Sequence, residues 1–273
     1  MLATGVREEN IRGTAPARQI ACSRCDLQGL CLPASLSCGE MNRLGAIIGK
    51  PRRFGRGRHL YRSGDPFKAL YVVSAGFFKT DVLNRNGNNQ VSGFHMAGEL
   101  LGLDGIGSQA HACDAVALED SEVCLIPFPQ LEVLSSEIRS LQKYLHKLLS
   151  REIVRDHGIL LLLGTLRAEE RLAAFLLNLS QRFAARGHSA TEFNLRMTRD
   201  EIGSHLGLHL GTVSRVFSRF QDEGLISVKL KHIRILDTDR LMRATGQAGL
   251  HKASLAVRAV RAPRPRSPAR LPP

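Results

Sequence analysis

Three cysteines crowd one short stretch, Ile20-Ala21-Cys22-Ser23-Arg24-Cys25-Asp26-Leu27-Gln28-Gly29-Leu30-Cys31. Thiolates bind soft and borderline metals well, and three of them in one loop converge with little chain between them. Three are too few for a closed four-thiolate site, so a fourth donor must come from elsewhere. The other cysteines are Cys38, Cys113 and Cys124, and spacing does not choose among them. An iron–sulfur cluster is the chemistry the loop points to. A zinc site on the same thiols is the main competitor, and a haem held by His95, His111 or Cys113 is another.

A second set of residues is suited to DNA. The stretch Thr212-Val213-Ser214-Arg215-Val216-Phe217-Ser218-Arg219-Phe220 has Val213, Val216, Phe217 and Phe220 at helical core spacing. That leaves Thr212, Ser214, Arg215, Ser218 and Arg219 on the outer face. An arginine early in such a helix can bind guanine O6 and N7 with two hydrogen bonds, worth about 1–3 kcal/mol of discrimination. Arg199 and Arg219 are placed for phosphates. No carboxylate pair, activated nucleophile or phosphate-binding glycine loop stands out, so an enzyme is not expected.

These residues need elements to hold them. Leu36 to Ile48 predicts a short helix. From Arg58 to Pro127 short apolar runs alternate with turn signals: Leu70–Val73, Gly76–Leu83, Gln90–His95, Cys113–Leu118 and Glu122–Ile126, with Asn86-Gly87 as a hairpin turn. Many short strands broken by glycine predict a sandwich or jelly roll. The period then becomes helical. Ile138, Leu141, Leu145 and Leu148 form one stripe, and Leu149, Ile153, Asp156, Leu160 and Leu163 continue it with a one-residue shift. This predicts one long amphipathic helix that pairs with its copy in a homodimer, the alternative being a helix packed on its own barrel. Asp156 would then face its own copy, and like charges in a partly dry seam repel. The alternative is that Asp156 points to solvent or pairs with Arg151 or Arg155.

Ala168 to Arg186 predicts a helix with Leu172, Phe175, Leu176 and Leu179 on one face. Thr198-Arg199-Asp200-Glu201 is a capping box, and Gly207 suits the left-handed end of the helix it starts. A second helix from Leu210 to Glu223 completes a helix-turn-helix, and 226–230 with 233–235 alternate as a hairpin wing. The organisation expected is a flexible 1–19, a cysteine loop and strand-rich domain over 20–130, a dimerisation helix over 131–165, a DNA-binding domain over 166–242 and a disordered basic tail over 243–273.

Net charge is +13, but eight of the basic residues lie from Arg240 onward with no acid after Asp239. The remainder is only mildly basic, so charge alone does not name the partner. The longest aliphatic run, Ile159 to Leu163, falls far short of the ~20 residues that cross a bilayer, and no membrane partner is expected. Met1 to Gln19 mixes acids and arginines without an apolar export segment, which places the protein in the cytoplasm. There, clustered cysteines act as ligands more often than as disulfides.

The chain resembles the FNR-type oxygen-sensing regulators of the CRP–FNR family from about Ile20 to Met242. The matching pieces are Cys22-x2-Cys25-x5-Cys31, Gly93-Phe94-His95-x-Ala97-Gly98-Glu99-Leu100, Val123-Cys124-x-Ile126-Pro127-Phe128, Ala168-Glu169-Glu170-Arg171-Leu172-Ala173-Ala174-Phe175 and Thr212-Val213-Ser214-Arg215. The resemblance implies an α+β fold: an N-terminal β-roll sensor domain of the jelly-roll, cyclic-nucleotide-binding type, a long dimerisation helix and a C-terminal winged helix-turn-helix. It implies Cys124 as the fourth ligand of a [4Fe–4S] cluster and Asp156 as the family's long-helix aspartate. It further implies an oxygen-labile dimer that binds TTGAT-like half-sites in double-stranded promoter DNA without oxygen, with RNA polymerase as a further partner. Two features depart from the family. Gly211 stands where FNR-type proteins carry a glutamate that can accept from cytosine N4, which predicts relaxed specificity or weaker binding at that pair. The long basic tail is the other. A cyclic nucleotide is not expected, because Gln109-Ala110-His111-Ala112-Cys113-Asp114 has no arginine for the phosphate.

Overall fold

The structure is a computed structural model that describes residues 36–83 and 89–246. The Cys22–Cys31 loop, the Asn86-Gly87 turn and the chain beyond Gly246 lie outside the described residues.

Helix α1 (Cys38–Ile47) starts on a capping box in which Ser37 and Glu40 satisfy each other's backbone N–H groups. Eight strands follow: β1 (Arg52–Phe54), β2 (His59–Tyr61), β3 (Ala69–Ala75), β4 (Phe77–Leu83), β5 (Asn89–Met96), β6 (Leu100–Leu101), β7 (Asp114–Ala117) and β8 (Ser121–Pro127). They form two four-stranded antiparallel sheets, in the orders β1-β8-β3-β6 and β2-β7-β4-β5. Val73, Phe78, Leu101, Ala115, Ala117 and Val123 fill the space between the sheets. This is the expected roll: the five strands placed by alternation are β3, β4, β5, β7 and β8, while the two- and three-residue β1, β2 and β6 are too short to show a period.

Two helices leave the roll, α2 (Phe128–Glu137) and α3 (Arg139–Thr165), separated by an extended Ile138. The one-residue shift in the apolar stripe marks a change of neighbour. Ile138 and Leu141 are buried, and with Leu145 they pack on a cluster made by the roll, α1 and α2. Past the shift the stripe leaves its own domain: Leu149, Ile153 and Leu160 are 38%, 55% and 67% exposed.

The C-terminal unit comprises α4 (Ala168–Ala184), β9 (Glu192–Asn194), α5 (Arg199–Leu206), α6 (Leu210–Asp222), β10 (Ile226–Lys229), β11 (His232–Ile235) and α7 (Thr238–Arg243). The wing is a three-stranded sheet in the order β10-β11-β9, one strand more than the hairpin expected. Helix α7 continues to Arg243 and Ala244 packs against the domain's core, so the domain runs just past the boundary expected at 242. The N-cap Thr198 and the αL Gly207 (φ 61°) of α5 are as the sequence indicates.

The C-terminal unit docks on the roll of its own chain. Phe77, Val91, Phe94, Met96 and Leu118 share one apolar core with Leu172, Phe175, Leu176, Leu179, Ile202 and Leu206. At its edge Arg182 grips the Glu99 carboxylate with two hydrogen bonds, Nη2 to Oε2 at 2.6 Å and Nε to Oε1 at 3.1 Å. Arg186 Nη2 adds a third at 2.6 Å, and the same guanidinium groups donate to the carbonyls of Phe94 and Ala97.

Candidate nucleic-acid interface and cysteine site

Helix α6 is amphipathic because its apolar residues recur at three- and four-residue steps, and the fold uses that pattern fully. Val213, Val216, Phe217 and Phe220 are buried, while Arg215, Ser218 and Arg219 are exposed and Thr212 and Ser214 are half-buried. Helix α5 supports it. Gly203 lets the α5–α6 turn pass close by, since a Cβ there would meet the carbonyl of Leu208. The arrangement presents Thr212, Ser214 and Arg215 at the start of α6, the end of a recognition helix that meets base edges. Arg215 Nη2 lies 3.4 Å from Thr212 Oγ1 and is otherwise turned outward.

The two arginines expected on phosphates have intramolecular partners as well. The Arg199 guanidinium lies 5.1 Å from the centroid of the Phe217 ring, a cation–π contact that fixes it at the head of α5. Arg219 is paired twice, with Glu223 at 2.8 Å and Glu169 at 3.1 Å. These exposed pairs are weak, so a phosphate can compete for the guanidinium. Gly211 has open space around it: nothing lies within 4 Å of where a Cβ would sit. Glycine is therefore not demanded by packing, and a longer side chain fits.

Of the four expected metal ligands only Cys124 lies within the described residues. It sits on β8 opposite Val72, half-buried, and packs on the outer apolar cluster of the roll together with Leu36, Ile47 and Ile48. Leu36, α1 and Cys124 thus pack on one apolar cluster of the roll. Gly49 N–H, just past α1, donates to the carbonyl of Leu125 at 2.8 Å. Only four residues separate Cys31 from Leu36, five Cα–Cα steps and so a reach of at most about 18 Å. The alternatives differ in setting. Burial and the nearby Asp104 carboxylate push the Cys113 thiol up to about 12, which disfavours the thiolate a metal needs. Cys38 is exposed at the start of α1.

His95 and His111, the other candidate ligands, are not brought together. His111 stacks on Tyr61 with ring centroids 3.6 Å apart, and His95 Nε2 lies 3.3 Å from Thr80 Oγ1. The role of Glu99 escapes sequence reasoning. Its motif is visible, but its partners Arg182 and Arg186 lie more than eighty residues away. Burial pushes the Glu99 carboxyl up, yet the Arg182 and Arg186 guanidinium groups outweigh it and hold the group down at about 2.

On the seam side, Asp156 is exposed, and Arg155 pairs with Glu152 at 3.3 Å instead. Arg155 also reaches the roll: a Cβ on Gly93 would sit 2.6 Å from its Nη2, so a larger residue there would displace the guanidinium.

A roll, a long helix with an unmatched apolar face and a winged helix-turn-helix define a DNA-binding regulator. Residues 170–244 match the Crp-like helix-turn-helix domain and residues 51–137 the cyclic nucleotide-binding domain. The chain is 47% identical over 226 residues to the transcriptional regulatory protein btr of Bordetella pertussis, covering 83% of this chain and 93% of that one. It is 45% identical to the transcriptional activator protein anr of Pseudomonas aeruginosa, covering 84% and 93%. It is 44% identical to the fumarate and nitrate reduction regulatory protein of Escherichia coli K12, covering 83% and 91%. The structure of FixK2 from Bradyrhizobium japonicum superposes with a TM-score of 0.68 at 28% identity, over 73% of this chain and 98% of that one. The chain belongs to the CRP–FNR family of transcription regulators, and FNR- and Anr-type proteins are among its relatives. It is a DNA-binding regulator and not an enzyme. Among the described residues no helix is long and apolar enough to cross a membrane.

Proposed function

We propose that this protein is an oxygen-responsive regulator in which Cys22, Cys25, Cys31 and Cys124 hold a [4Fe–4S] cluster. The observation that carries this reading is the packing of Leu36 and α1 into the same apolar cluster as Cys124. It ties the chain that follows the three-thiol stretch to the cluster that carries a fourth thiol on the roll. Four cysteine thiolates are the usual donor set of such a cluster, and the half-buried face of β8 limits solvent access. When bound, the cluster supplies an oxygen-labile tie between the loop and the roll.

The rest is done by the protein's own residues. The segment leaving the loop, α1 and the first half of α3 share one cluster with Cys124, so the order of the loop bears on where α3 leaves the roll. Beyond that point Leu149, Ile153, Asp156 and Leu160 form the homodimer seam, and the Asp156 carboxylates keep it weak. The dimer places two α6 helices on TTGAT-like half-sites in promoter DNA. Ser214 and Arg215 read base edges, Thr212 supports Arg215, and Arg199 and Arg219 hold phosphates. Gly211 leaves one base pair without its reader. RNA polymerase is the partner at the promoter, and the cytoplasm is the compartment. No cyclic nucleotide is required.

Anaerobic purification followed by a visible spectrum, sedimentation and a DNA-binding assay, before and after air, tests the reading. The expected result is a straw-brown dimer that binds DNA and bleaches to a monomer in air, with Cys124→Ser colourless from the start. A colourless, zinc-containing protein that binds DNA equally in air would replace it with a zinc-stabilised regulator.

A further inference from the structure

Past the shift in its stripe, α3 has the rhythm of a two-stranded coil. Leu149, Ile153, Asp156, Leu160 and Leu163 follow one another by steps of four, three, four and three. Ile153 and Leu160 take the a positions of the heptad, and Leu149, Asp156 and Leu163 the d positions. Glu152 then falls at g and His157 at e, the positions that flank such a seam and pair across it. The other e and g residues between 149 and 163 are Ser150 and Ile159, so the titratable pair stands alone there. The direction of pairing follows from the DNA-binding half. Each α6 hangs beyond the C-terminal end of its α3, and the two must reach neighbouring half-sites about 34 Å apart. Antiparallel helices would point the two C-terminal units in opposite directions, so the copies run parallel. In a parallel pair a g residue meets the e residue five positions on in the other helix, and Glu152 and His157 are five apart.

The structure leaves these groups open to a second copy. Asp156 and His157 are exposed, and among the described residues neither makes an ion pair. Glu152 is half-buried and pairs with Arg155 through Oε1 at 3.3 Å. Burial pushes its carboxyl up, Arg155 opposes that, Asp156 and Glu99 add to it, and Arg182 opposes it. A carboxylate held up in this way gains from a cation set beside it. The other charges around the seam do not supply one. Lys147 and Arg151 are exposed on the same helix, away from the e and g positions. His95 and His205 are buried on the roll side and held below the usual imidazole range, chiefly by burial. His146 lies seven residues before Ile153, at an a position, and meets only its own copy, so its protonation works against the dimer.

We propose that Glu152 of each protomer and the partner's His157 form a proton-dependent clasp across the α3 seam, which makes the dimer responsive to pH. The clasp rests on the seam given to α3 in the proposed function and adds a second input to it. Symmetry supplies the pair twice, once on each side of the Asp156 layer. A neutral imidazole gives the carboxylate little, whereas an imidazolium gives it an ion pair and offsets the repulsion between the Asp156 carboxylates. Association that sets an imidazole beside carboxylates takes up protons. The dimer therefore tightens as pH falls through the ordinary imidazole range, from about 7.5 to 6, and loosens as pH rises out of it.

The test measures the dimer dissociation constant of the full chain by sedimentation, without oxygen, at about pH 6 and about pH 8. A visible spectrum at each pH checks that the samples compared are equally loaded. His157→Gln should dimerise as the unmodified protein does at about pH 8 and about fivefold less tightly at about pH 6. The comparison is made between variants at one pH, so the opposing part of His146 cancels. His157→Lys, charged throughout, should hold the dimer tight at both, which a folding defect would not allow. In a Glu152→Gln background His157→Gln should lose most of its effect. Equal affinities of His157→Gln and the unmodified protein at about pH 6, or an equal loss at both pH values, overturn the proposal. So does a His157→Gln effect undiminished by Glu152→Gln, which would assign the proton to Asp156 alone. If Ile153→Glu leaves the dimer intact at both pH values, α3 is not the seam, and the reading beneath the clasp falls instead.

Discussion

The roll offers two surfaces to the helical half of the chain, and they are finished in different ways. The β4–β5 side is closed within one chain: Phe77, Val91, Phe94 and Met96 lie in a shared core with the C-terminal unit, and Glu99 is clamped by two arginines at the rim. The outer face of α3 is left open, with Leu149, Ile153 and Leu160 exposed and Asp156 among them. One interface is strong and intramolecular, and the other waits on a second copy. The difference teaches where control can act. A switch that had to break the Glu99 clamp would need several kcal/mol, whereas a weak seam can be tipped by a small change in where α3 leaves the roll.

The largest expected effect tests the closed side. Glu99→Ala strips the carboxylate from Arg186, only 9% exposed, and from Arg182, leaving two guanidinium groups without their anion. Chemical unfolding should show a loss of about 3 kcal/mol, with the dimer seam unaffected in sedimentation. An unchanged stability would show that the clamp is decorative. The same side should be sensitive to acid. Burial holds His205 at about 4, and its Nδ1 lies 3.2 Å from the carbonyl of Val91. The unfolded chain takes up that proton below about pH 6.5 while the folded one resists, so stability falls as pH drops from about 6.5 to 4. Glu99 has the opposite chemistry and the same sign. Its depressed value stabilises above about pH 4.5, and that stability drains away as pH falls toward 2. Unfolding midpoints against pH should show both steps, and His205→Gln should shrink the first but not remove it, because burial also holds His95 well below the usual imidazole range.

The open side should respond in the other direction. Asp156→Ala removes a repulsion between copies, and the dimer should strengthen by about 1–2 kcal/mol and persist in air. An unchanged monomer population by ultracentrifugation would mean that Asp156 does not weaken the seam. The smallest effect concerns DNA alone. Gly211→Glu has space for its side chain and should gain about 1 kcal/mol at half-sites offering a cytosine N4 donor. A base-substitution binding series in which the unmodified protein already discriminates fully at that pair would refute the role given to Gly211.

Much of this architecture was legible in the chain. Alternation and glycine turns marked the strands, because side-chain direction in a sheet has period two. The capping box at Thr198 and the αL Gly207 marked the helix-turn-helix, because the backbone groups at helix ends must find partners nearby. The outward residues of α6 followed from its period, and all of them are exposed or half-buried as that period requires. Local rules settle local structure.

What the sequence could not supply depends on distance. The apolar stripe of α3 read as one seam, yet its first half is covered by the chain's own roll and only the second half is free. Nothing in the periodicity distinguishes a neighbour in the same chain from one in another. The Glu99 clamp and the hydrogen bond from Arg56 N–H to Asp120 Oδ1 join residues dozens of positions apart, and a pairwise contact leaves no periodic trace at either end. The cysteine loop shows the division most clearly. The three spaced thiols point to metal chemistry as a proposal, since ligand type and spacing are written in the chain. The setting of Cys124, on the apolar cluster that also takes Leu36 and α1, was decided by how α1 and β8 pack, because only tertiary structure brings together residues some ninety positions apart.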